Sequence, residues 1–310
     1  MDLLGLNGYN LRGLDRYNVV LGKNGCGKSH LLRMCERALR NRQEEVGALR
    51  YLSPERGGQL QFDANIEQAI TSNLTWLLDS RRQNQTGQFR QQSAVQFRRL
   101  ELLTLREIEK VPEMRANSNI TFDQATERIN ILLDRVRIER GDPGFTIHER
   151  SSGARVQPQD ISSGESELIS LGIECLVFEK ECVENKINVL LVDSPDVHLH
   201  PDLQARFAQF VETMSGSGTL ISLFATHSTA LLGALASYDR TRVTFLHYGD
   251  TDLAFSPPSE AQKRILPIFG AHPLSNVFNQ TPVLLVEGED DERVWQQAIR
   301  SGRGSIRLHP

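Results

Sequence analysis

Apolar residues in this chain gather into two kinds of run. Short unbroken runs occur at Asn18-Val19-Val20-Leu21, Asn188-Val189-Leu190-Leu191-Val192-Asp193 and Leu220-Ile221-Ser222-Leu223-Phe224-Ala225. Strands covered by helices on both faces of a parallel sheet read this way, because neither face meets water. Other apolar positions recur near the helical period: Leu31, Leu32, Met34, Cys35, Ala38 and Leu39, then Leu168, Leu171, Ile173, Leu176, Val177 and Phe178, then Leu203 to Met214. Residues 1–21 read as one or two strands joined by a turn near Gly13. Leu49-Arg50-Tyr51-Leu52 reads as the next strand. Ser53-Pro54-Glu55-Arg56-Gly57-Gly58 closes it, since proline and paired glycine interrupt regular structure.

From Phe62 to Leu133 the pattern turns helical throughout. Ile66, Ala69, Ile70, Leu74, Leu77 and Leu78 repeat at helical spacing, and a Gln/Asn/Arg-rich span runs from Arg81 to Arg99. A second helical pattern passes through Leu100, Leu103, Leu105 and Ile108 to Pro112, and a further helix fits Phe122 to Leu133. The block predicts a helical insertion at about 62–133. Its Arg81, Arg82, Arg90, Arg98, Arg99 and Arg106 could meet nucleic-acid phosphates; a solvated helical face is the plainer account of the same residues. Alternation returns between Arg135 and Gln159, with Val136, Ile138, Phe145 to Arg150, a Ser151-Ser152-Gly153 turn and Val156, which predicts a hairpin.

Composition narrows the class. With 310 residues, 39% hydrophobic and 24% charged, the chain has enough apolar residues for a sizeable core. A net charge of −4 argues against a uniformly basic nucleic-acid coat. No run approaches a membrane span, and Met1-Asp2 opens with an acid, unlike a signal peptide. The four cysteines, Cys26, Cys35, Cys175 and Cys182, show no C-x-x-C pairing and no zinc spacing. Reduced thiols and a cytoplasmic location with no membrane partner are the expectation.

The candidate chemistry begins at Gly22-Lys23-Asn24-Gly25-Cys26-Gly27-Lys28-Ser29, which fits G-x-x-x-x-G-K-[ST] at every fixed position. A buried strand precedes it and a helix follows, so backbone N–H groups can wrap a phosphate at a helix N-terminus. Lys28 would reach the β- and γ-phosphates, Ser29 would offer its hydroxyl to Mg²⁺, and His30 completes the nucleotide-binding set. Arg56, beside Glu55 and Gln59, falls in the loop after a strand, where ligands bind in a parallel α/β sheet; solvated turn residues are the alternative reading. Asp193 ends a buried strand and could hold the same Mg²⁺ as Ser29. His227, in Thr226-His227-Ser228, follows another buried strand and would face a γ-phosphate. Ser163 before Ser166 and Glu167 reads as a helix cap with acids in the first turn. In the tail, Val283-Leu284-Leu285-Val286 leads to Glu287-Gly288-Glu289-Asp290-Asp291, acids that could ligate Mg²⁺ or open a helix.

In order, these motifs resemble those of ABC-type ATPase heads, in the branch with RecF and SMC-like proteins, and most of all the OLD (overcoming lysogenisation defect) family. Gly25-Cys26-Gly27-Lys28-Ser29 is similar to that family's N-G-x-G-K-S. Ser163-Gly164-Glu165 is similar to its S-x-G-E, and Asp193 to Pro201 to its D-E-P-E-x-x-L-H-P. The resemblance implies an α/β fold: an ABC-type P-loop ATPase head with a mixed central sheet flanked by helices, at about residues 1–275, carrying the helical insertion. Residues 280–310 would be the truncated start of a Toprim-like domain, with Glu287 as its first acid. It implies ATP and Mg²⁺ as cofactors. Two heads would sandwich ATP, with Ser162, Ser163, Gly164 and Glu165 of one facing the phosphate loop of the other, and Lys28, Asp193, Asp196 and His227 serving catalysis. DNA and a companion nuclease or effector are the further partners it implies.

Two departures shape the expected activity. Ser194 stands where the family has its catalytic Glu, and serine is no general base near neutral pH, so hydrolysis should be slow; Asp196, matching the motif's second acid, is the candidate substitute. No D-x-D pair follows Glu287 before Pro310, so this chain alone should not cleave DNA through a Toprim centre. The leading expectation is ATP-dependent dimerisation coupled to DNA binding or nuclease control, in an anti-phage setting. The alternatives are the N-terminal part of an ATP-regulated endonuclease, or a non-catalytic scaffold holding a sensor or toxin. A transporter subunit fits poorly with the Leu199-His200-Pro201 loop and the tail.

Overall fold

A computed structural model describes residues 1–53, 92–117, 120–142, 144–157 and 160–260. The unbroken apolar runs form its centre. Strands β3 (Tyr17–Leu21), β4 (Val46–Leu52), β8 (Ile187–Asp193), β9 (Thr219–Thr226) and β10 (Thr241–Phe245) make one sheet in the order β10-β3-β9-β8-β4. Every pairing in it is parallel: Leu21 lies beside Thr226, Asp193 beside Ala225 and Tyr51 beside Leu191. The phosphate-loop strand β3 is therefore second from the β10 edge, with Asp193 two strands away at the same carboxyl end.

Parallel strands need helical crossovers, and these cover both faces. On one face α1 (Lys28–Arg40) buries Leu31, Leu32, Cys35 and Leu39 against Val20, Val189, Leu191 and Leu223. The opposite face is covered by α5 (Ser163–Glu181), α6 (Pro201–Glu212) and α7 (Thr229–Ala236), packed on Val19, Leu190, Val192 and Phe224. Helix α5 has apolar side chains all round and is buried along most of its length, as a helix enclosed by neighbours should be.

The expected mixed central sheet is corrected in one respect: its five described strands pair only in parallel with one another, and the antiparallel strand pairs lie in two small separate sheets, apart from a single antiparallel bridge of Val243 with Ser256. The first joins β1 (Leu3–Leu6), β2 (Tyr9–Arg12) and β11 (Asp252–Ala254); the second joins β5 (Val136–Gly141), β6 (Gly144–Glu149) and β7 (Arg155–Val156). β1 returns to β2 and β5 to β6 through tight turns, as antiparallel geometry permits, whereas β11 joins β2 in parallel from a distant part of the chain. The N-terminal segment holds three strands rather than one or two. The additional turn is Asn7-Gly8, both with positive φ (49° and 96°), a conformation asparagine and glycine tolerate.

The described part of the helical block lies on the head itself. Helix α2 (Gln92–Lys110) inserts Phe97 between Phe122 and Phe145 at centroid distances of 5.2 and 5.0 Å, and Ser93 bonds Ser170 of α5 at 2.6 Å. Pro112 ends α2 as expected and also opens α3 (Pro112–Ala116), since proline fits the first turn of a helix. Helix α4 (Asp123–Asn130) stops short of Leu133. Asn130 accepts from Ile138 N at 2.7 Å and donates to Ile138 O at 3.0 Å, anchoring the chain as it turns into β5. Among the described residues, no helix is long and apolar enough to cross a membrane. Arg56, Glu55, Gln59, Arg81, Arg82, Arg90 and Glu287, with the Toprim-like start, lie outside the described residues.

One buried charge cluster ties three elements together. Arg50 of β4 donates to Glu174 and, at 2.6 Å, to Glu181, both on α5, and Arg99 of α2 pairs with Glu181 as well. Burial alone would disfavour the Arg50 guanidinium; Glu181 and Glu174 outweigh it and hold its pKa above the ordinary value. Removing the cation would take its buried counter-charge from Glu174 and one of two arginines from Glu181, which typically costs 3–5 kcal/mol. Arg50→Met should therefore lower the unfolding free energy by about 3–5 kcal/mol in urea denaturation. Arg12→Met, which breaks an ion pair with about half of each side chain exposed, should barely move the midpoint.

Candidate nucleotide-binding site

Strand β3 is buried along its length and ends at Gly22, where the chain leaves the sheet. A Cβ on Gly22 would come within 2.5 Å of Cys26 Sγ and 2.7 Å of the Leu246 carbonyl, so the loop can close only over glycine there. Gly25 and Gly27 take φ of +81° and +103°, values that L side chains resist. Gly27 caps α1 with no side chain accepting from the first turn, which leaves N–H groups there for an anion. Lys23, Asn24, Gly25 and His30 are exposed around the mouth of the loop, and the His30 ring meets Tyr9 edge-on at 6.3 Å.

Lys28 is buried to 8% exposure, and its ammonium donates to the carbonyls of Gly22 at 2.7 Å and Lys23 at 3.1 Å. An ammonium carries three donors, so these contacts hold its charge at the loop while leaving capacity for a phosphate oxygen.

Asp193, 1% exposed, is the meeting point of three elements. Its Oδ1 accepts from Ser29 Oγ at 3.0 Å and from Ser194 Oγ at 3.1 Å, and its Oδ2 accepts from Tyr51 OH at 2.7 Å. A buried carboxylate persists only when such bonds replace its water. The Ser29 and Asp193 oxygens suit Mg²⁺, a hard cation that keeps several waters and takes few protein ligands. Among the described residues no group of three or more His, Cys, Asp or Glu side chains forms a metal cage.

Asp196 and His227 form a second cluster. Asp196 Oδ1 accepts from Thr226 Oγ1 at 2.5 Å, and its Oδ2 lies 3.5 Å from His227 Nε2. The Asp196 side chain is 5% exposed and that of His227 is 50% exposed, so the imidazole looks outward from a buried anchor. Ser194 takes a left-handed φ of +46° and points its hydroxyl back to Asp193.

The signature stretch lies at the start of α5, on the face of the sheet opposite α1. The expected cap moves by one residue. Ser162, not Ser163, is the cap: its Oγ accepts from Glu165 N at 3.3 Å and donates to Glu165 Oε2 at 2.7 Å. Ser162 is the residue with extended φ and ψ, and a capping box pairs that residue with the acid three places on. Ser163 is left exposed in the first turn. Gly164 has a packing reason of its own: a Cβ there would sit 2.8 Å from Leu203 Cδ1 and 3.3 Å from the His198 carbonyl. Glu165 also meets Arg135 at 3.5 Å.

Ser29 and Asp193 are thus brought together, as are Asp196 and His227, while Ser162 to Glu165 stand apart from the phosphate loop of the same chain. Sequence reasoning passed over Tyr51. Strand alternation put it on one face of β4, but nothing in the sequence said which neighbour that face would meet. None of the four cysteines forms a disulfide. Burial pushes the Cys35 thiol up to about 12, and burial with Glu179 and Glu181 does the same for Cys182, so neither is a thiolate near neutral pH.

Residues 35–233, more than half of the chain, match the family described as "AAA domain, putative AbiEii toxin, Type IV TA system". The chain belongs to this family. The match begins inside α1, just after the phosphate loop. No curated protein matches the sequence. Among solved structures, the SMC head domain from Thermotoga maritima is 13% identical with a TM-score of 0.32; the alignment covers 52% of this chain and 51% of that one, so this chain spans about half of it. An SMC head bound to the C-terminal winged-helix domain of ScpA is 14% identical with a TM-score of 0.44, over 80% of this chain and 92% of that one. A bacterial ABC transporter cassette in a dimeric structure is 13% identical with a TM-score of 0.38, over 79% and 86%. At these scores the likenesses carry no weight of their own. The AAA-domain family, the parallel sheet and the phosphate loop make this protein an α/β P-loop head of the AAA-domain family.

The cap gives a direct test of the signature helix in this AAA-domain protein. Ser162→Ala removes the acceptor for Glu165 N and should cost about 1 kcal/mol in urea unfolding, whereas Ser163→Ala, at an exposed first-turn position, should leave the midpoint in place.

Proposed function

We propose that this chain is a slowly hydrolysing ATPase head that closes as a two-copy sandwich around ATP. The observation that carries the reading is the division of the motifs. Ser29 and Asp193 meet across 3.0 Å on one side, while exposed Ser163 opens a helix on the other face of the same sheet. A second copy offers the missing half. In that assembly Lys28 and the loop N–H groups bind the phosphates of one head's ATP, and Ser163 with the positive end of α5 meets the γ-phosphate from the partner. Mg²⁺, when bound with ATP through Ser29 and Asp193, offsets charge on the phosphate oxygens.

Hydrolysis is slow on this reading because Ser194 holds a donor, not a base, beside the phosphates. Asp196 and His227 orient the attacking water in its stead. Asp196 anchors the imidazole, and the exposed ring accepts the proton. Slow turnover leaves a long-lived closed dimer, which suits a switch better than a motor. DNA, a nuclease or an effector is what the switch controls. This follows the OLD-like motifs, with residues 1–275 as the head and Glu287 opening a Toprim-like portion. A toxin as effector is supported by the family's description, which names a toxin of a toxin–antitoxin system.

Sizing the purified chain with and without ATP and Mg²⁺ tests the sandwich: the expected result is a shift to dimer with nucleotide. An unchanged monomer that still binds ATP tightly would defeat the proposal. Steady-state phosphate release tests the base. Ser194→Glu should raise turnover by about 10²-fold or more, and Asp196→Asn should lower the parent rate.

A further inference from the structure

Strand β4 carries two adjacent polar side chains to opposite faces of the sheet. Arg50 enters the cluster with Glu174 and Glu181 of α5, and Tyr51 reaches the α1 face, where its hydroxyl donates to Asp193 Oδ2 at 2.7 Å. The phenol is 5% exposed and packs among Val189, Leu191 and Leu223. Register explains its reach. Tyr51 lies beside Leu191, so its long side chain extends two residues along β8 to the carboxylate at the strand's end.

We propose that Tyr51 is a positioning residue for Mg²⁺, acting through Asp193. By holding Oδ2, the phenol turns Oδ1 toward Ser29, the hydroxyl that opens α1. A carboxylate on a single Cβ–Cγ bond rotates freely unless one oxygen is tied, and a freely rotating ligand loses entropy when a metal orders it. The tie is itself held rigid. Arg50, one residue back, locks β4 to α5 from the other face, so the donor is fixed before any ion arrives. Hydrogen-bond partners behind a metal ligand commonly govern 10- to 100-fold of metal affinity. Hydroxyl and carboxylate donors alone make a weak Mg²⁺ site, so orientation matters more here than ligand number. Neither the phosphate-loop pattern nor the strand-end aspartate requires a tyrosine at this place.

The inference rests on the nucleotide site proposed above, and its test separates the two. Binding of a fluorescent ATP analogue to the full chain is measured in Mg²⁺ and in EDTA, for the parent and for Tyr51→Phe, which keeps the ring and its packing. The expected result is an affinity about 10-fold or more weaker in Mg²⁺ and unchanged in EDTA. In an Asp193→Asn background, Tyr51→Phe should add nothing, because the residue it acts through is already gone. Titration of Mn²⁺ by electron paramagnetic resonance in the presence of ATP should show the same loss as a direct metal readout. Equal affinities in Mg²⁺, equal losses in Mg²⁺ and EDTA, or an additive loss in the Asp193→Asn background would each overturn the role of Tyr51 while leaving the nucleotide site standing. A parent chain that binds no nucleotide in either condition would overturn both.

Discussion

The carboxylate of Asp193 lies inside the protein with both oxygens occupied by hydroxyl donors from three different elements. Ser29 comes from the start of α1, Tyr51 from β4, and Ser194 from the turn that follows β8. A buried charge of this kind is tolerated only while its bonds are made. Each donor must therefore arrive at the carboxyl end of the sheet in register. The fully parallel order of β10, β3, β9, β8 and β4 meets that condition, because it brings every strand's carboxyl end to one edge. The phosphate loop, Asp193 and His227 all leave the sheet there.

What the sheet aligns, the helices divide. Helix α1 lies on one face with the phosphate loop at its start, and α5 lies on the other with the signature serines at its start. Strand β4 contacts both sides through Tyr51 and Arg50. The buried ion cluster on the α5 side is costly to assemble, and hydrophobic replacement of a whole such cluster is often neutral or better. Its presence thus argues for a fixed attitude of α5 against β4 rather than for bulk stability. Without it, α5 would still be buried by Leu168, Leu171, Leu176 and Phe178.

Much of this was legible in the residues. Unbroken runs such as Val189 to Val192 fit strands buried on both faces, as in a helix-covered parallel sheet, and the helix spacings of Leu31 to Leu39 and Leu168 to Phe178 named the covering layers. The pairing of Ser29 with Asp193 followed from motif chemistry, because one ion needs both oxygens. What escaped the sequence depended on register and local geometry. Tyr51 is one aromatic in a strand until β4 is set beside β8. Ser162 and Ser163 are adjacent serines until backbone angles decide which one is extended. The Asn7-Gly8 turn was masked because the strands on either side are only four residues long. The fit of α2 against Ser170 and Phe145 was hidden for another reason: a helix buried on one side by a distant segment has the same periodicity as a helix on an arm.

The turn after Asp193 bears on the proposed part played by Asp196. Ser194 and His198 both hold left-handed backbone, at φ of +46° and +68°, which costs of order 1–3 kcal/mol at each non-glycine residue. The conformation is held by Ser194 N on the Ala225 carbonyl at 2.8 Å, Val197 N on the Ser194 carbonyl and Leu199 N on the Asp196 carbonyl. A tight turn bound to β9 at its first residue swings the next acid sideways, and this sets Asp196 against Thr226 and His227 at the end of β9 rather than beyond β8. The position after Asp193 is thereby committed to the turn and to Asp193 itself. The neighbouring position two residues on acquires a carboxylate paired with an outward-facing imidazole. On the proposed reading, the acid has moved along the chain and gained a histidine as intermediary. The left-handed backbone at Ser194 is held by its bonds to Ala225 O and to Asp193, which keep Asp196 turned toward His227.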